Sequence, residues 1–182
     1  MHAETRLRSA AVAASISLLK QTGHELHVRT RMQDMPRTRR EFSDAYHRGR
    51  NIWVYLPDKL TLEGVCNTLL HEVAHAIMAQ NASYRYGRDW QPEYRSRRGY
   101  RCSPRAALVE DSRIEKNACD AQYVLFVLLG MPTRVITEVQ HNMSAPSSST
   151  QATADQVLAV WTAAGLQRRN VGKICIADAE EA

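Results

Sequence analysis

No run of 18 consecutive apolar residues occurs in the 182-residue chain, so a membrane-spanning helix is excluded. Cysteine is sparse. Cys66, Cys102, Cys119 and Cys175 are the whole set, and no two form a C-x-x-C pair, which argues against a zinc ribbon or a thioredoxin-type motif. A chain of 20.6 kDa buries enough surface to fold without disulfides, so a reduced, cytoplasmic protein is expected. Eight glycines and six prolines, with 44% apolar and 24% charged residues, exclude a collagen-like, fibrous or wholly disordered chain. Lysine is nearly missing: 20 of the 24 basic residues are arginine. The net charge of +5 is also uneven. Residues 1–105 hold 18 basic and 10 acidic side chains, net +8, and residues 106–182 hold 6 and 9, net −3. Arginine suits planar anions such as phosphate and carboxylate, so the amino-terminal part carries an anion-seeking surface or a merely solvated one.

What is present reads as an α+β chain. Leu7, Ala11, Ala14 and Leu18 fall on one face of a helix over 4–21 that stops at Gly23. Its Ser9–Leu19 portion follows Arg6 and Arg8 as a signal peptide would. It is Ala/Ser-rich, however, and Lys20-Gln21-Thr22-Gly23 offers no cleavage site, so it reads as an amphipathic helix. Alternation over 25–31 predicts a half-buried strand, and Phe42–Tyr46 with Asn51–Leu56 predicts a hairpin turning at Gly49. Together these make a small antiparallel sheet. Thr61 opens a long helix to about Gln80, and a second runs from Pro104 to Leu129 and stops at Gly130-Met131-Pro132. A short helix is expected over 133–140. Residues 144–152 read as a flexible linker. Residues 153–182 then form a carboxy-terminal helical appendage, capped at Thr153 with Gln156, beyond a main domain of 1–143.

Chemistry is concentrated in His71-Glu72-Val73-Ala74-His75, an H-E-x-x-H motif inside the first long helix. Residues i and i+4 lie one above the other, so both imidazoles reach one metal ion. Glu72 lies one position on, placed to take a proton from a zinc-bound water rather than to ligate. For a chain with 7 His and 11 Glu, the pattern arises by chance on the order of 1–2% of the time. The flanking residues Thr68-Leu69-Leu70 and Ala76-Ile77 are uncharged, as a buried active-site helix requires.

Catalytic zinc usually takes three protein ligands. A metzincin continuation needs glycine at 78 and histidine at 81, and the chain has Met78 and Asn81. The third ligand is therefore expected from the second long helix, among Glu110, Asp111, Glu115 and Asp120. Glu115 is best placed, because Ala118 and Cys119 one turn on are small enough for close helix approach. Glu110 and Asp111 stay as alternatives. Histidines 24, 27, 47 and 141 have no partner at ligand spacing, and Cys66 reads as core.

The motif after a hairpin, with the run Ile114-Glu115-Lys116-Asn117-Ala118, resembles compact gluzincin-type peptidases. The ending Leu128-Leu129-Gly130-Met131-Pro132 is similar to the ImmA/IrrE group. Tyr86-Gly87-Arg88-Asp89-Trp90 is similar to the His-Gly-x-x-Trp loop of SprT-like metallopeptidases, with Tyr86 standing where that family has a histidine ligand. These resemblances cover about residues 42–132. They imply a minimal zincin-like core, zinc-dependent hydrolysis of peptide bonds and, often, a link to DNA.

Residues 84–105 carry seven arginines and five aromatics against Asp89 and Glu93. Arg85, Arg88, Trp90, Arg95, Arg97, Arg98 and Arg101 are the candidate nucleic-acid contacts, since arginines neutralise phosphates and aromatic faces stack on bases. A surface for acidic peptides and a solubilising basic loop are the other readings. Tyr84, Tyr86, Tyr94, Tyr100 and Tyr123 are candidates for stabilising an oxyanion. The leading expectation is a zinc metallopeptidase with His71, His75 and Glu115 on the metal and Glu72 as base. The alternative is a DNA-associated regulatory or interaction protein that keeps the fold without relevant proteolysis. A third is a partner protein that docks another chain through a Val157–Ala164 helix.

Overall fold

The computed structural model describes residues 2–34, 45–48, 50–56, 61–80, 104–137 and 149–167. Helix α1, His2–Gln21, buries the expected stripe of Ala11, Ala14 and Leu18, with Leu19 and Ser15 beside it. Among the described residues no helix is long and apolar enough to cross a membrane.

Strands β1 (Glu25–Arg29), β2 (Ala45–Arg48) and β3 (Asn51–Tyr55) form one sheet in the order β1-β3-β2. The central strand β3 is the apolar one: Ile52 and Val54 are fully buried while Asn51, Trp53 and Tyr55 are half-buried. The sheet is not antiparallel throughout. β2 pairs antiparallel with β3 as a hairpin, but β1 runs parallel to β3, with Leu26 opposite Ile52 and Val28 opposite Val54. After β1 the chain crosses to the far edge before β2, and β3 then returns between them in the direction of β1. Alternation marks which face a strand buries but carries no information on its direction or neighbour.

Helix α2 begins as Leu62–Gly64, with the Thr61 hydroxyl accepting from the Gly64 amide at 3.2 Å. It widens into a π-helical stretch, Val65–Leu70, and continues as His71–Met78 with right-handed helical backbone at both joins. Every residue from His71 to Met78 is buried. A helix buried on all sides is the centre of a fold. Its neighbours are α1, helix α3 (Pro104–Leu129) and helix α4 (Gln151–Ala163), with α3 packed on it most extensively. Ala118, Ala121, Val124, Leu125, Phe126, Leu128 and Leu129 of α3 join the same core.

Three helices end alike. After α1, α3 and α4 the chain turns at Gly23, Gly130 and Gly165, with φ of 76°, 67° and 69°. In each, the residue after glycine donates to the carbonyl five back, as Met131 does to Phe126 at 2.9 Å. This is the Schellman arrangement, and its left-handed position favours glycine. One further helical turn covers 133–137.

Helix α4 starts earlier than Thr153. Its cap is Thr150, whose hydroxyl accepts from the Thr153 amide at 3.3 Å. Ser149 is buried and residues 151–152 are helical, so the last part of 144–152 belongs to this helix start; residues 144–148 lie outside the described residues. Ala154, Val157 and Trp161 of α4 are buried in the common core. Gln156 Nε2 donates to the Ile77 and Met78 carbonyls at 2.8 and 3.3 Å, closing the carboxy-terminal end of α2.

Candidate metal centre

The face of α2 that carries His71 and His75 meets the face of α3 that carries Glu115, Cys119 and Gln122. On α3 these positions are spaced i, i+4 and i+7, one helical stripe. Ala118 and Ala121 are fully buried beside them, and their small size lets the two helices close.

Three donor atoms converge. His71 Nε2 lies 3.1 Å from Glu115 Oε2 and 3.1 Å from His75 Nε2, and His75 Nε2 lies 3.5 Å from Glu115 Oε2. The imidazoles meet edge to face, with centroids 4.6 Å apart. This His71, His75, Glu115 group could hold a metal ion. The fit is quantitative: a tetrahedral ion bound at about 2.0–2.1 Å has ligand–ligand edges of about 3.3 Å. The observed triangle straddles that value. The side chains of His71 and His75 are 10% and 2% exposed, and that of Glu115 is 47%, so the centre opens to the surface on the Glu115 side.

The three groups shift one another's proton affinities. Burial pulls His71 down, but the Cys119 thiol, the Glu115 carboxylate and the charges of Glu72 and Glu115 outweigh it, and the net value rises to about 10. His75 goes the other way: burial dominates and holds it below the ordinary histidine range. Glu115 is held far below the carboxylate range, because the two histidines outweigh its partial burial. The two histidines are thus shifted in opposite directions beside a carboxylate that is shifted down.

Further contacts orient His71. Its Nδ1 lies 3.2 Å from Gln122 Oε1, and Gln122 Nε2 donates to the Cys66 carbonyl at 2.7 Å. Gln122 was not anticipated from sequence, and Cys119 was expected there only as a small residue that lets the helices approach. The only available signal was that Gln122 is a strongly polar residue inside the otherwise apolar end of α3. Glu72 is buried next to His71, and its charge acts on both imidazoles.

Of the alternative acids, Asp120 is buried but ion-paired to Lys116 at 3.2 Å, away from the trio. Glu110 and Asp111 belong to α3, but nothing of their side chains is described. Arg85, Arg88, Trp90, Arg95, Arg97, Arg98 and Arg101, together with Tyr84, Tyr86, Tyr94 and Tyr100, lie outside the described residues. Tyr123 is buried on α3. His24 and His27 have other partners: His24 Nδ1 is 3.0 Å from the Thr22 hydroxyl, and His27 stacks on Trp53. Cys66 is core, as expected. No family model, curated protein or solved structure matches this chain.

Proposed function

We propose that the protein is a zinc metallopeptidase of the small gluzincin type, acting in the cytoplasm on a protein or peptide substrate. The observation that carries this reading is the convergence of His71 Nε2, His75 Nε2 and Glu115 Oε2 with Glu72 buried beside them. Two imidazoles and one carboxylate are a donor set typical of catalytic zinc, and three protein ligands leave one position open. When bound, zinc supplies a Lewis acid that polarises a carbonyl and brings the pKa of a water toward 7.

The chain's own residues supply the remaining functions. His71 and His75 hold lone pairs at a fixed separation on a buried helix. Glu115 adds the negative charge that favours a divalent ion and leaves the centre open on its own side. Glu72 accepts the proton of the attacking water and returns it to the leaving amine. The sheet followed by α2 and α3 is read as a minimal zincin-like core.

Elemental analysis is expected to find one zinc per chain in the wild type and none in His71→Ala or Glu115→Ala. Glu72→Gln is expected to keep the metal and lose peptide hydrolysis by roughly 10²–10⁴-fold. Full activity in Glu72→Gln sinks the mechanism, and zinc retained in both ligand variants sinks the ligand set.

A further inference from the structure

We infer that Gln122 is a positioning residue for the metal centre: its amide, oriented by the Cys66 carbonyl, holds His71 in the tautomer that offers Nε2 to the metal. The inference rests on the metal-centre reading above.

Hydrogen-bond polarity carries it. Gln122 is fully buried, so its amide has no water to satisfy it. A backbone carbonyl only accepts, so the group 2.7 Å from Cys66 O is the amide nitrogen. The flipped amide would set two carbonyl oxygens against each other there, so the assignment does not rest on choice. The amide oxygen then faces His71 Nδ1 at 3.2 Å. Because that oxygen also only accepts, Nδ1 carries the hydrogen. A neutral imidazole with hydrogen on Nδ1 has its lone pair on Nε2, the atom that faces His75 and Glu115.

The relay begins and ends on one helix. Cys66 lies in the π-helical stretch of α2 and His71 opens the segment after it, while α3 supplies the amide between them. Gln122 therefore ties ring orientation to the widened turn. π-turns inside helices recur at functional sites, and here the widened turn holds the carbonyl that orients the amide.

The residue type follows from charge. A divalent ion with Glu72 and Glu115 sums to zero in this centre, whose Gln122 side is fully buried. A carboxylate at 122 would also accept from Nδ1, but it could not donate to Cys66 O and would add a buried, uncompensated charge. An amide fixes the tautomer without charge. Partners of this kind typically contribute roughly 10–100-fold to metal affinity.

The test uses the full chain with one equivalent of zinc. Long-range ¹H–¹⁵N spectra of the histidine rings are expected to show His71 protonated at Nδ1, with that proton slow to exchange. Gln122→Leu and Gln122→Met keep the bulk and remove the amide. Competition with a chromophoric chelator is expected to show zinc affinity weaker by roughly 10–100-fold in both, with fast exchange of the Nδ1 proton. Zinc on Nδ1 of His71 in the wild type overturns the inference even if neither variant folds. Unchanged affinity in both variants overturns it while leaving the metal centre standing. A wild type that binds no zinc overturns the metal centre and this inference together.

Discussion

His71 and Cys66 both retain protons that the unfolded chain would release, so they make the metal-free protein lose stability with alkali. His71 is raised from 6.5 to about 10, so its contribution is fully present below about pH 6.5 and is lost as pH rises through about 10. Cys66 is raised from 9.0 to about 12 by burial and then by Glu63, so the folded state keeps a proton between those values and stability falls there too. The melting temperature of the metal-free protein is expected to decline from pH 7 to 9, with the Cys66 limb adding above that. With zinc bound, His71 is a neutral ligand. The first limb should vanish and the second remain. A metal-free melting temperature that is flat from pH 7 to 9 would contradict this assignment. His71 and His75 were legible in the chain because helical spacing is a local fact, whereas Glu115 was only the best placed of several acids until packing grouped it with them. Gln122 was not, because a neutral amide has no periodic signature and its partners come from another helix.

Among the elements, α4 closes the carboxy-terminal end of the motif helix. Gln156 closes two carbonyls at the end of α2, and Trp161 is 3% exposed in the shared core. Trp161→Ala is expected to cost about 3–5 kcal/mol, as large aromatic truncations in cores do. Gln156→Ala should cost only about 0.5–1.5 kcal/mol, one modest hydrogen-bonding site. Urea unfolding monitored by circular dichroism would rank them, and a larger loss for Gln156→Ala would contradict the packing account. Helix bounds were readable where a side chain or glycine punctuates the chain, as at Thr61 and Gly130. The π-helical stretch was not, because Val65–Leu70 is as apolar as a buried α-helical segment would be. The parallel pairing of β1 was hidden for a related reason: strand direction is decided by a crossover, not by alternation.

For the molecule as a whole, one core joins α1, β3, α2, α3 and α4. A chain ending at residue 148 would lose Ala154, Val157 and Trp161 from that core and the Gln156 closure of α2. It is expected to unfold several degrees lower or without cooperativity, and an unchanged melting curve would show that α4 is dispensable. Arg134 joins Glu63 of α2 at 3.1 Å and Glu4 of α1, but more than half of it is exposed, so it adds little by comparison. Composition and spacing alone determined that helices flank a few strands, and that two histidines and a glutamate share one helical stretch. Those features depend on neighbours a few residues away. Packing decided what depends on distance across the fold: that β1 runs parallel to β3, that α4 is part of the core, and that an amide on α3 faces His71. Each is set by which surfaces bury one another, and a linear chain does not contain that pairing until it has folded.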